Sequence, residues 1–164
     1  MTEKQDRNNR SGTADSANPL DLAGLTLEDL VPHRGTMLLL DTVLEVDTKH
    51  AMTLSTVKPS WPLFGQGGVA PLICVELAAQ TAGVCNGWER VHSLGLDSNQ
   101  MGWLVAVKKA EFHVGPLPQG TIIRARAENT LVFDRFREVT SVLYWDAQVV
   151  AEVVLQLFQA ETEI

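Results

Sequence analysis

The longest uninterrupted pattern in the chain lies at residues 67–89, GGVAPLICVELAAQTAGVCNGWE. It is too long for a strand and apolar on more than one side, which predicts one long buried helix with Pro71 in its first turn. Its small residues, Ala78, Ala79, Ala82, Gly83 and Gly87, allow other backbone to approach closely. Upstream, Thr26 as a cap, Glu28 and Asp29 in a first turn and Pro32 as a stop predict a short helix. Residues 37–46, MLLLDTVLEV, read as a buried strand, and residues 49–57 alternate as a second, with Asp47 and Thr48 turning between them. Residues 58–68 carry too many prolines and glycines for anything but loop, and residues 92–100 form a polar loop. Four further strands follow at 101–112, 121–133, 136–145 and 148–159. Asp134-Arg135 and Asp146-Ala147 are short enough for hairpins, whereas Pro116, Pro118 and Gly120 force a loop. This order predicts an α+β fold, a mostly antiparallel sheet with the apolar helix against its concave face.

Composition narrows the picture. A length of 164 residues fits one domain. Residues 1–18, MTEKQDRNNRSGTADSAN, are too polar to offset their own ordering entropy, so a flexible N-terminal tail is expected there, with the folded domain at 19–164. No apolar run approaches the roughly 20 residues of a membrane span, and none follows the start as a secretory signal requires. A formal net charge of −7 opposes general nucleic-acid binding. Cys74 and Cys85 would lie about 16 Å apart along the helix, too far to pair, and two buried-type thiols point to a reducing cytoplasm. No spacing resembles a metal site.

The candidate chemistry centres on Glu76, an acid among Leu72, Ile73, Val75, Leu77, Ala78 and Ala79. Burial there is expected to raise its pKa and keep it protonated, fit to donate. The structural alternative is a carboxylate paired with Gln80, Arg34 or a loop amide. Glu76, Gln80, Gly83 and Gly87 share one helix stripe and can face one channel.

Three motifs in order carry a resemblance. Residues 32–43 read PHRGTMLLLDTV, residues 70–80 APLICVELAAQ and residues 110–121 AEFHVGPLPQGT. They resemble P-H-R-x-P-x-L-L-x-D-R-V, P-G-x-x-x-x-E-x-x-A-Q and A-R-F-x-x-P-x-x-P-G-D of the hot-dog fold 3-hydroxyacyl-acyl-carrier-protein dehydratases. The resemblance implies an antiparallel sheet wrapped around one central helix, with Glu76 on the catalytic acid and Gln80 on a recurrent glutamine. Catalytic members also carry a histidine in an H-F-P-G segment, where this chain has FGQGGVAP at 64–71. That form, with residues 76–88 reading ELAAQTAGVCNGW, is more similar to the dehydratase-like proteins of aryl-polyene lipid clusters.

The resemblance implies a 3-hydroxyacyl thioester as substrate, carried on the phosphopantetheine of an acyl carrier protein or on coenzyme A, with no resident cofactor. Gly67 and Gly68 would polarise the thioester carbonyl, and Trp61 and Phe64 would line the acyl tunnel. His33 ranks first as a surrogate base, against the alternative that it only fixes the start of the first strand. His113 would neighbour the prosthetic-group opening, and His50 and His92 would face water. Of Lys108, Lys109, Arg124, Arg126, Arg135 and Arg137, one or two would meet the carrier. Relatives pair two sheets edge to edge, so a homodimer, or a heterodimer with a paralogous dehydratase, is expected with residues 101–112 at the seam. A non-catalytic partner subunit of such a dehydratase and a hot-dog thioesterase are the competing functions.

Overall fold

The computed structural model describes residues 19–161, so the tail expected at 1–18 lies outside the described residues. Helix α1 (Leu27–Leu30) starts where expected: Asp29 reaches back to accept the Thr26 backbone N–H at 2.7 Å. A 3-10 turn (Gly35–Met37) and strands β1 (Thr42–Val46) and β2 (His50–Thr56) follow. A short pair, β3 (Phe64–Gly65) and β4 (Gly68–Val69), precedes the long helix α2 (Ile73–Leu94). Strands β5 (Gly102–Phe112), β6 (Ile122–Phe133), β7 (Phe136–Trp145) and β8 (Gln148–Gln159) complete the fold.

Three boundaries differ from the sequence expectation. Helix α2 starts at Ile73 rather than near Gly67, because Val69 and Leu117 exchange backbone hydrogen bonds at 2.9 Å in both directions. That bridge draws residues 68 and 69 into strand pairing. Helix α2 also runs past Glu89 to Leu94, where Gly95, at φ 90°, caps it by donating its N–H to Val91 O. The first strand is half as long as expected: Asp41 still donates its N–H to Leu54 O of β2, but residues 37–39 meet a side chain instead of a strand. Gln80 Oε1 accepts the Leu39 N–H at 3.0 Å and Gln80 Nε2 donates to Met37 O at 2.7 Å.

The six main strands form one antiparallel sheet in the order β1-β2-β6-β7-β8-β5. Asp134 and Asp146, both at φ 52°, make the tight reversals β6–β7 and β7–β8. The passage from β5 to β6 is instead a crossover, carrying the chain from the sheet edge to its middle. On β6 the buried Ile123, Ala125 and Ala127 alternate with the outward Arg124 and Arg126, and Thr53 Oγ1 meets Thr81 Oγ1 at 2.8 Å beneath α2. Leu77, Ala78, Val84 and Cys85 of α2 close the core over that face.

Glycines set the depth of the α1 segment against α2. A Cβ on Gly87 would stand 2.0 Å from Leu30 O, and one on Gly83 3.1 Å from Val31 Cγ1. That close approach brings the segment leading to His33 onto the helix that carries Glu76. The opposite feature marks β5, an unpaired edge on which Trp103, Leu104, Val105 and Val107 are all exposed. Among the described residues no helix is long and apolar enough to cross a membrane. Cys74 and Cys85 are free and buried, and burial pushes each thiol up to about 12.

Candidate active site

Glu76 projects from the first turn of α2 and is held from two sides. Gln80 Nε2, one turn on, donates to Glu76 Oε1 at 2.7 Å, and His33 Nε2 approaches the same oxygen at 3.2 Å. The two side chains stay 30–35% exposed, so the pair reaches solvent at one face. Here the expectation of a raised pKa is corrected. The His33 hydrogen bond lowers the Glu76 pKa, and the Gln80 bond and the His33 charge add to it, outweighing the upward push of burial. Glu76 in the free chain is therefore a carboxylate at neutral pH, an acceptor rather than a ready donor. Because the folded value is depressed, its pairing stabilises the fold above 4.5, the ordinary value, and that contribution is lost as pH falls through the lowered pKa.

Both carboxylate and imidazole line a cavity of about 190 Å³. Its floor follows α2 through Ala79, Gly83, Asn86, Gly87 and Arg90, and its far wall is built from the start of β5, the end of β8 and Arg137. His33 is, among the described residues, the one histidine on this lining; its Nδ1 is buried without a partner. His50 sits between Glu45 at 3.2 Å and Asp47 at 3.0 Å, half-buried rather than facing water. His113 pairs with Glu152 at 2.9 Å, and the exposed His92 caps back onto Trp88 O.

The remaining expected residues fall elsewhere. Gln80 is fully buried and turns its amide to the 37–39 backbone, so it steadies Glu76 without lining the cavity. Trp61 is in the core, Phe64 packs against it, and neither lines the cavity. Gly67 is exposed at a turn, whereas Gly68 presses on Leu117 with no room for a side chain. Neither belongs to the α2 terminus, which begins at Ile73. Among the six candidate cations, Arg137 is buried and bonded to Asp134 O and Phe136 O. Lys108, Lys109, Arg126 and Arg135 are paired with surface carboxylates, and Arg124 lies over the Tyr144 ring. The sequence reading missed Asn86 and Arg90. Continuing the stripe of Glu76, Ala79 and Gly83 by further steps of three and four reaches both.

A sequence profile of the ApeP-like family, described as ApeP dehydratase, matches residues 25–164, most of the chain. The protein belongs to the ApeP-like family. Among solved structures, the dehydratase heterocomplex ApeI:P from Xenorhabdus doucetiae is similar at 24% identity and TM-score 0.76, over 84% of this chain and 92% of that one. Cj0977, a sigma28-regulated virulence protein from Campylobacter jejuni, follows at 17% identity and TM-score 0.62, over 82% and 87%. A hypothetical thioesterase with coenzyme A from Streptococcus pneumoniae TIGR4 matches at 10% identity and TM-score 0.56, over 74% and 87%. Among curated proteins none is recognisably similar in sequence. The fold is thus the hot-dog fold, and the protein is dehydratase-like.

Within this ApeP-like chain, Gln80 is the joint between site and scaffold. Gln80→Leu would orphan the buried Leu39 N–H, at about 1–3 kcal/mol, and the partly exposed Met37 O, which water can satisfy at smaller cost. We expect a loss of about 1–3 kcal/mol in urea-unfolding stability. A variant as stable as wild type would show that water replaces the amide.

Proposed function

We propose that this ApeP-like protein takes part in dehydrating 3-hydroxyacyl thioesters, carried on an acyl carrier protein or coenzyme A, in cytoplasmic aryl-polyene or fatty-acid synthesis. Glu76 is the catalytic carboxylate, and a histidine-bearing paralogous dehydratase supplies the missing base. The observation that carries this reading is a carboxylate fixed by His33 and Gln80 at an apolar cavity that lacks a free base. His33 Nε2 is engaged with Glu76 and its Nδ1 is buried, so His33 acts as a positioning residue. The cavity wall includes Gly102, Trp103 and Leu104 of the unpaired β5 edge, which supports completion by a neighbouring subunit. The ApeI:P structure, by its description a dehydratase heterocomplex, is consistent with such pairing.

The reaction removes the C2 proton and breaks the C3–O bond, leaving a C2=C3 double bond and releasing water. The paralogue's imidazole takes the C2 proton. Glu76 serves the departing hydroxyl, and an acyl chain displacing water from the cavity raises its pKa towards the protonated form that this step needs. A second reading rests on the 3.2 Å contact itself, with His33 and Glu76 forming a self-contained pair.

Co-expression with a histidine-bearing paralogue tests both. The composite reading expects a stable hetero-oligomer that forms 2-enoyl product and a chain that is inactive alone. Full activity of the chain alone would establish the self-contained pair, and free acid without enoyl product would establish a thioesterase. No turnover in any combination across chain lengths would sink the catalytic proposal.

A further inference from the structure

Helix α1 is a single turn, so its last carbonyls have no partner within the helix. Side chains serve them instead. Arg34 donates to Val31 O at 2.7 Å and Glu28 O at 2.9 Å, and Gln100 donates to Glu28 O at 3.1 Å and Asp29 O at 3.3 Å. The shortest of these bonds comes from α2 itself. Arg90 Nη2 donates to Asp29 O at 2.6 Å, while its Nη1 donates to Ser98 O at 3.0 Å and Ser98 Oγ at 2.6 Å.

Arg90 is a costly residue for that place. It is 3% exposed, burial lowers its pKa, and its bonded partners are neutral oxygens, so a well-packed apolar side chain would hold the core at least as well. What a guanidinium adds is a rigid fork that ties two segments at a fixed spacing. One of them leads straight to the site. From Asp29 the chain reaches His33 in four residues, through an extended Val31 and a proline whose φ is locked, so a shift at the Asp29 carbonyl has little slack in which to fade.

We propose that Arg90 is a positioning residue for the Glu76 site, fixing through Asp29 O the place along α2 at which His33 meets the carboxylate. The inference rests on the reading of Glu76 as the catalytic carboxylate. Gly87 lets the α1 segment come close, and the Arg90 fork decides where along the helix it stops. Arg90 acts through that segment and not by its charge, because it lies fourteen residues from Glu76, about 21 Å of helix axis and well beyond the ~8 Å screening length. Besides burial, the groups that move the Glu76 ionisation are His33 and Gln80.

The test uses the protein assembled with its paralogue, with isotope-labelled glutamate carried only by this chain. In Arg90→Met, a nuclear magnetic resonance titration should find the Glu76 pKa moved from its lowered value towards 4.5. The kcat for 2-enoyl formation should fall about tenfold to a hundredfold, with KM within about twofold. Gln100→Ala removes the two longer bonds to the same carbonyls and should move both readouts the same way by less. An unmoved Glu76 pKa in Arg90→Met, even with a lower melting temperature, makes Arg90 a brace of the fold only and overturns the proposal. A raised KM with unchanged kcat also overturns it, since Arg90 lines the cavity and would then be touching substrate. If Arg90→Met does not fold, an unmoved Glu76 in Gln100→Ala overturns the proposal and a moved one supports it. The two readings fail separately. Enoyl product from wild type with Glu76 unmoved in the variant refutes the role of Arg90 alone, whereas a moved Glu76 in an assembly that makes no enoyl product refutes the dehydratase reading alone.

Discussion

Glu76→Gln, in the protein assembled with its paralogue, lowers 2-enoyl formation by about 10²–10⁴-fold, the usual contribution of a positioned proton-transfer group. The substitution is chosen to leave the scaffold alone. A glutamine carbonyl oxygen at the Glu76 Oε1 position still accepts from Gln80 Nε2, so fold and assembly should hold, with melting at neutral pH lowered only by the stabilisation that the ionised carboxylate gave. What disappears is the group that titrates. In wild type the extra strength that the ionised carboxylate gives the His33 and Gln80 contacts is lost as Glu76 protonates below 4.5, so stability falls on that acid limb. The glutamine variant should lack that limb, which pH-dependent melts of the two proteins compare directly. Activity within about twofold of wild type would remove Glu76 from the mechanism.

Gly87→Ala should destabilise the fold and weaken the site together. A methyl group there meets the Leu30 carbonyl, a backbone atom that cannot rotate away, so strain of about 3 kcal/mol is expected. Replacing glycine in a helix interior returns about 1 kcal/mol, for a net loss of about 2 kcal/mol in urea unfolding. Gly83→Ala is the control. Its methyl meets only the Val31 side chain, at 3.1 Å, and the helix gain leaves it near neutral. Because residues 30–33 must move to admit the Gly87 methyl, the His33–Glu76 contact should lengthen, and a nuclear magnetic resonance titration of Glu76 should show its pKa returning towards 4.5. Equal stabilities for the two variants would mean that the close packing at Gly87 does not govern the position of the α1 segment.

The fold was readable where one physical signal dominated. The strands at 136–145 and 148–159 end at aspartate-containing reversals, and their limits coincide with β7 and β8. The long helix was readable as an element but not at its start, since the pull of Leu117 on Val69 comes from residues 48 positions downstream. Residues 37–39 misled for a similar reason. Their apolar run dips into the core at Leu39, but a glutamine side chain rather than a strand meets the backbone there, and periodicity carries no mark of that. At the site, motif spacing placed Glu76 beside Gln80. It could not give the ionisation state of Glu76, which turns on an imidazole 43 residues upstream in the chain and folded back at 3.2 Å.

The crossover between β5 and β6 also sets the order in which a growing chain can complete its sheet. Strand β5 leaves the ribosome ahead of β6, β7 and β8, yet its partner is β8, the last of the described strands, with Phe112 opposite Ala151 and Gly102 opposite Gln159. At about 5–20 residues per second, the apolar segment around Trp103 and Val107 waits for seconds without a neighbour on either side. Folding to the end of β8 covers one side only. The other side stays unpaired in the single chain, so the apolar residues of that edge remain open to wrong pairing unless something covers them.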